Sequence, residues 1–454
     1  MKGSRLVRLS LLPLFAALCL LAAPAEAALS RPEQAMIARV DAEQARTLAM
    51  LETWVNQNSG SLNIPGVTRV GEMVRAELEP LGFAVEWIDM RATGRAGHLI
   101  ARHPGKGPST GSGRGKKLLL IGHLDTVFEP DSPFQRWTRD GDKGTGPGAE
   151  DDKGGLAVMV AALRAMQAAG TLKNADITII LTGDEEDSGN PIALARRDLI
   201  AAGKAADVAL DFEGLAQEAG PNGPLDMGSI ARRSSGSWTL TVKARPAHSS
   251  GIFQEGVGFG AVYELARILD EFRRTLREDK LSYNVGLLGG GQTTVLDEGG
   301  IRLEATGKTN IIPAIAIARG DLRALTQDQI DRTQAKMRAI VARPLAGATA
   351  TITFDTDGYP PMAPTAGNAA LLDRLNAVNR DLGLPEMGAL DPVKRGAGDI
   401  SFVAADVDGL VGLGAASDGA HTDRETVDIP SIFRQAKRAA ILISRLAAGT
   451  RPRN

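Results

Sequence analysis

Two short, purely apolar runs constrain this chain most, because each ends in a cluster of chemically active side chains. Leu118 to Ile121 leads into Gly122-His123-Leu124-Asp125, and Ile177 to Leu181 leads into Thr182-Gly183-Asp184-Glu185-Glu186. Apolar runs of this length without polar alternation suit strands whose sheet is covered on both faces. Val208 to Leu210, ending at Asp211-Phe212-Glu213, repeats the pattern, as does Leu410 to Leu413 ahead of the glycine-rich turn that reaches His421. Between the first two runs, Gly154 to Ala169 reads as a buried helix with Asp151 just before its start. The expectation is an α/β fold whose active crevice lies at the strand ends of an open sheet.

The middle of the chain follows another rule. Ser237 to Lys243 alternates as a half-exposed strand, followed by an amphipathic helix from Phe259 to Leu276, the strand-like Ile315 to Leu322 and the helical Gln327 to Val341. That order predicts a small α+β domain over 228–357, inserted into a larger domain built from 28–227 and 358–454. The Gly- and Ser-rich stretch Pro104 to Gly115 reads as a solvated loop.

At the N-terminus Lys2, Arg5 and Arg8 precede the apolar run Leu11 to Ala23, and Ala25-Glu26-Ala27 has the small residues of a cleavage site. This predicts a signal peptide over 1–27 and an exported, periplasmic protein; the apolar run falls short of the roughly 20 residues of a spanning helix, so no stable membrane anchor is expected. Cys19 is the one cysteine and lies inside that signal, so the mature chain has neither disulfides nor thiolate ligands. Any metal must be held by His, Asp or Glu. The formal charge of −2 and the absence of a basic cluster leave nucleic-acid binding without support.

Taken singly, the candidate residues are weak signals. The five histidines are His98, His103, His123, His248 and His421. His123 and Asp125 share a face at period two, so Asp125 could take the second ring N–H of His123 and fix its tautomer. Glu185-Glu186 could be ordinary solvated charge, yet adjacent residues in extended backbone point apart. One carboxylate could therefore bind metal while its neighbour handles protons. Gly148 to Gly155 could be only a capped helix entry.

Together, H-x-D, G-x-x-D-x-K-G-G, E-E, F-E and a late His resemble the M20 family of di-zinc peptidases and amidohydrolases over nearly the whole mature chain. The wording is nearest to its folate-cleaving glutamate carboxypeptidases in Gly122-His-Leu-Asp-Thr-Val127, Gly146-Pro-Gly-Ala-Glu-Asp-Asp-Lys-Gly-Gly155 and Asn310-Ile-Ile-Pro-Ala314. The resemblance implies a zinc-exopeptidase-like catalytic domain, a mixed sheet flanked by helices, with an inserted lid that also dimerises. It implies two Zn2+, with Co2+ or Mn2+ as substitutes: His123, Asp151 and Glu213 on one, and Asp151, Glu186 and His421 on the other. A hydroxide between the metals would attack, Glu185 would be the general base, and Asp125 would orient His123. From the lid, His248 would stabilise the oxyanion, often across a homodimer, while Asn310, Arg323 and the turn beginning at Gly396 would hold the substrate.

Two departures stand out. Thr356-Asp-Gly-Tyr-Pro360 replaces a segment where folate-cleaving members carry arginine, and Asp187-Ser-Gly-Asn-Pro191 replaces a glycine-serine turn. Three functions fit this frame: a carboxypeptidase releasing a C-terminal residue such as glutamate, an N-acyl-amino-acid amidohydrolase or dipeptidase, and a non-catalytic periplasmic binding protein. The third predicts loss of Glu185 or of a ligand, and every one is present. Small peptides or N-acyl amino acids are the expected substrates.

Overall fold

The computed structural model describes residues 29–105, 115–221 and 223–448. The expected signal peptide over 1–27 and most of the expected loop over 104–115 lie outside the described residues. No helix among the described residues is long and apolar enough to cross a membrane.

Six strands form the central sheet, in the spatial order Ala84–Asp89, Gly97–His103, Asp176–Thr182, Lys117–His123, Val208–Asp211 and Gly409–Val411. The last four run parallel, with His123 beside Thr182 and Ile121 beside Asp211, so their ends carry the chemically active residues to one rim. The first two pair antiparallel and extend the sheet on the far side, making it mixed.

The apolar runs have no polar face because both sides of the sheet are covered. On one side the helix Lys153–Ala168 is buried almost all round, lying between the sheet and the helices Arg31–Ala42, Gln44–Val55 and Ile429–Ala448. On the other, Leu199, Ile400, Val403 and Val407 pack against Leu119, Ile121 and Ile180. The N-terminal helix begins with a capping box, Ser30 with Glu33, and Glu33 then pairs with Arg445 of the last helix at 2.7 Å.

A second, antiparallel sheet stands apart. Ile315–Arg323 lies between Gly236–Ala244 on one side and Ser282–Tyr283 and Leu287–Gly291 on the other, and Ala348–Phe354 closes the far edge. The alternation of Gly236–Ala244 turns Trp238, Leu240 and Val242 toward the helices Gly260–Thr275 and Gln327–Val341, forming a core of their own with Phe272 and Met337. Gly320 is required opposite the indole: a Cβ there would sit 2.6 Å from the Trp238 ring and 1.8 Å from the Asn284 carbonyl. The two chain crossings between the sheets pair with each other, Arg232 with Met362 and Ser235 with Tyr359.

Because this domain has a separate core, its stability can be lowered selectively. Phe272, packed edge-on to Trp238 at a centroid distance of 6.1 Å, should cost about 3–5 kcal/mol when changed to Ala. Calorimetry is expected to show one transition moving to lower temperature and splitting from the other. Transitions that move together would contradict separate cores.

Candidate metal centre

His123 closes its strand fully buried. Its Nδ1 lies 3.1 Å from the carbonyl of Asp125 and 3.4 Å from that residue's carboxylate, and its Nε2 lies 2.9 Å from Asp151 Oδ1. The backbone oxygen, rather than the side chain expected from the H-x-D spacing, is thus the nearer partner, because the chain turns sharply after the strand. Asp125 instead serves as a junction. Its carboxylate accepts from Ser61 Oγ at 2.6 Å, from the amide of Glu185 at 3.0 Å and from the amide of Glu186 at 3.1 Å.

Asp151 occupies the turn before the buried helix, where its two carboxylate oxygens face different histidines: Oδ1 meets His123, and Oδ2 lies 3.0 Å from His421 Nε2. Glu425 holds that turn from behind, accepting from the amides of Gly148 (3.3 Å), Glu150 (3.0 Å) and Asp151 (3.2 Å). Sequence reasoning missed Glu425, which lies 274 residues from Asp151. Only its nearness to His421 could have flagged it.

The acidic turn is built as carefully. Gly183 donates its amide to His98 Nδ1 at 3.2 Å, and Asp184 accepts from Gly189 at 2.8 Å and from the buried guanidinium of Arg196 at 2.5 Å. Glu186 then sends Oε2 to within 3.2 Å of His421 Nε2, while its buried Oε1 has no hydrogen-bond partner among the described residues. His421 faces two carboxylates at once with one nitrogen. A single N–H cannot satisfy both.

Charge runs through the cluster in both directions. Burial lowers the proton affinity of His123, but the Asp125 and Asp151 carboxylates outweigh it and hold its pKa well above 6.5. Against the upward push of burial, the two imidazoles keep Asp151 far below the usual carboxylate range. His421 is pushed up to about 11, first by Asp151 and then by Glu186. Burial, and then the charge of Glu213, lift Glu185 well above the carboxylate range.

These residues fit a divalent cation. Ligand atoms of His123, Asp151 and Glu186 lie within 4.8 Å of one another, they are the nitrogen and oxygen donors that zinc accepts, and the orphaned Glu186 Oε1 and doubly faced His421 Nε2 are what a cation would satisfy. Glu213 does not join them. Its carboxylate is paired with the buried guanidinium of Arg232, whose Nε donates to the carbonyl of Gly396 at 2.7 Å. The expected ligand Glu213 lies outside that trio and has paired with the adjacent buried cation. Gly398 makes room, since a Cβ there would meet both partners at 2.4 Å.

The lid residues stay outside the cluster. His248 is bonded to Ser250 at 2.8 Å, and the backbone of Asn310 pairs with Ser249 beside it. Arg323 is engaged by Asp321 at 2.9 Å, the ion pair that competes with substrate binding. A cavity of about 760 Å3 elsewhere, lined by Leu48, Phe433 and Lys437, shares no residue with the cluster.

Two outcomes follow. With the pKa of His421 pushed up to about 11, loading with Zn2+ at pH 8 should release protons, measured by titration calorimetry in buffers of different ionisation enthalpy; no release would contradict the raised pKa. Glu425→Ala should weaken metal affinity about 10- to 100-fold, read by competition with a chromophoric chelator, and unaltered affinity would show that the turn needs no such support.

Comparison with known proteins agrees with this geometry. Carboxypeptidase G2 of Pseudomonas sp. (strain RS-16) is 27% identical over 420 residues, covering 90% of this chain and 91% of its own. Succinyl-diaminopimelate desuccinylase of Burkholderia pseudomallei (strain 668) is 26% identical over 396 residues, covering 84% and 94%. The structure of aminopeptidase PepT from Bacillus cereus ATCC 10987 superposes with a TM-score of 0.68 at 17% identity, covering 89% of this chain and 99% of that one. The pattern of peptidase family M20/M25/M40 matches residues 119–445, so a chain with this mixed sheet and this cluster of His, Asp and Glu belongs to that family and is a hydrolase of amide bonds.

Proposed function

We propose that this chain is an exported, zinc-dependent carboxypeptidase that hydrolyses the amide bond to a C-terminal amino acid, with Glu185 as general base. One observation carries the reading: the Asp125 carboxylate binds the amides of both Glu185 and Glu186 while facing His123, so base and metal-binding residues share one frame. His123, Asp151, Glu186 and His421 would hold the metal, with the second carboxylate oxygen of Glu213 as a further donor. Zinc is the default cation, and Co2+ or Mn2+ suit the same donors. Bound divalent cations supply polarisation of the scissile carbonyl and a lowered pKa for water.

The chain's own residues do the rest. Glu185, whose proton affinity burial has raised, accepts a proton from the attacking water and returns it to the leaving nitrogen. Asp125 keeps the base and His123 in register. Arg323, exchanging Asp321 for a substrate carboxylate, offers a planar fork suited to bidentate binding, and Asn310 and the turn at Gly396 would make further contacts with the substrate. His248 would serve the oxyanion.

Similarity to carboxypeptidase G2 over 90% of the chain favours release of a C-terminal residue. Similarity to a succinyl-diaminopimelate desuccinylase keeps an N-acyl amidohydrolase as the second reading. Tyr359 stands in the segment where an arginine would favour glutamate, so preference for that residue is left to experiment. Of the exposed large apolar side chains, Phe253, Val262, Tyr263, Val285, Leu288, Val295 and Ile301 all lie in the lid. That concentration supports a homodimer formed through the lid. Export to the periplasm rests on the N-terminal pattern.

The purified, zinc-loaded protein should release free amino acid from at least one of pteroylglutamate, N-acetyl amino acids and dipeptides, and Glu185→Gln should cut that turnover by about 10²- to 10⁴-fold with metal content intact. The preferred substrate decides between peptidase and amidohydrolase. No turnover despite bound metal would overturn the carboxypeptidase reading. In sedimentation, Val262→Arg with Leu288→Asp should convert a dimer to monomer, and a monomeric parent protein would refute the dimer.

A further inference from the structure

The acidic turn is gripped from two sides. Asp125 holds its front through the amides of Glu185 and Glu186. Behind it the carbonyl of Glu185 accepts a 2.8 Å hydrogen bond from the hydroxyl of Tyr359. That hydroxyl also lies 2.9 Å from Arg196 Nη2 and 2.9 Å from Ser188 Oγ. The directions are forced. A guanidinium nitrogen can only donate and a carbonyl can only accept, so the phenol oxygen accepts a hydrogen bond from Arg196 and its O–H donates to the Glu185 carbonyl.

The surroundings fix the ring as firmly as the hydroxyl. Tyr359 packs edge-on against Phe402 at a centroid distance of 4.8 Å, and the guanidinium of Arg196 lies 5.7 Å from the Tyr359 ring. Arg196 is itself immobilised by Asp184 at 2.5 Å and Asp399 at 2.8 Å. Burial, reinforced by the charge of Glu185, keeps the phenol protonated well beyond its ordinary range, so it remains a donor at any working pH. Donation from a cation also polarises the O–H toward the carbonyl.

Tyr359 belongs to the crossing between the two sheets. Its amide donates to the Ser235 carbonyl at 2.8 Å and its carbonyl accepts from the Ser235 amide at 3.0 Å, so one residue both closes the hinge and touches the peptide of the base. We propose that Tyr359 is a positioning residue: its hydroxyl sets the orientation of Glu185 and makes that orientation depend on the hinge of the lid. The hydroxyl has no capacity left for substrate, which separates this role from a binding one. The proposal rests on Glu185 being the base.

Tyr359→Phe removes only the hydroxyl and keeps the ring packing. With whichever of pteroylglutamate, N-acetyl amino acids or dipeptides the protein cleaves, kcat should fall about 10- to 100-fold while KM stays within about twofold, and the acidic limb of the kcat profile should move. Hydrogen exchange gives a readout that needs no substrate: amides of 184–189 should exchange about tenfold faster while those of the strand Lys117–His123 hold. Wild-type kcat and exchange would overturn the proposal. So would lost metal with faster exchange across the whole catalytic domain, since Tyr359 would then merely support the fold. Glu185→Gln is assayed beside it. Turnover surviving in Glu185→Gln defeats the base reading itself, whereas an inactive Glu185→Gln next to an unimpaired Tyr359→Phe defeats the Tyr359 role alone.

Discussion

Negative charge gathered out of water at the ends of parallel strands is the constraint on which this structure depends. Two like charges 4 Å apart repel by about 4 kcal/mol even at an effective dielectric constant of 20. Asp125, Asp151, Asp152, Glu186, Asp211 and Glu213 crowd one rim. The protein answers in three ways. Imidazoles and guanidiniums face some carboxylates, as His421 faces Asp151 and Arg232 faces Glu213. Backbone amides converge on others, above all Asp125 and Glu425. The remainder hold protons more tightly: burial raises Asp152 and Asp211 well above the ordinary range, and each has an oxygen without a hydrogen-bond partner among the described residues.

This accounts for the contrast between the two buried arginines. Arg196 is held by Asp184, Asp399 and Tyr359 and behaves as part of the scaffold. Arg232 holds Glu213 and the Gly396 carbonyl, so a cation that recruits Glu213 shares that carboxylate with it. One guanidinium stiffens the turn that bears Glu185 and Glu186. The other competes for a carboxylate.

Much of this was legible in the sequence, for physical reasons that differ by element. Leu118 to Ile121 and Ile177 to Leu181 announce themselves because strands covered on both faces can hold nothing polar, and the residues after them follow the strand direction to the rim. Ser237 to Lys243 alternates because its sheet has helices on one face only. The strands Ala84–Asp89 and Gly97–His103 were not foreseen: the first, at the sheet edge, has only exposed and half-buried positions, and the second is buried over its first five residues but opens on Gly97 and His98 rather than on an apolar run. Residues that steady the site were invisible for another reason. Tyr359 meets Glu185 across 174 residues and Glu425 meets Asp151 across 274, and no local pattern encodes such a meeting. The pairing of Glu213 with Arg232 was hidden likewise, because it depends on how the hinge returns to the catalytic domain.

The insertion of one domain into another also sets an order of assembly. The second sheet and its helices come from one unbroken stretch between Gly236 and Phe354, so everything that core needs leaves the ribosome together. The central sheet lacks its last strand, Gly409–Val411, and its covering helix, Ile429–Ala448, until the chain is nearly finished. Glu33 waits for Arg445, and Asp151 waits for both His421 and Glu425. The peripheral domain can therefore fold first, and the catalytic rim exists only once the final residues arrive. A truncated chain would keep its lid and lose its chemistry.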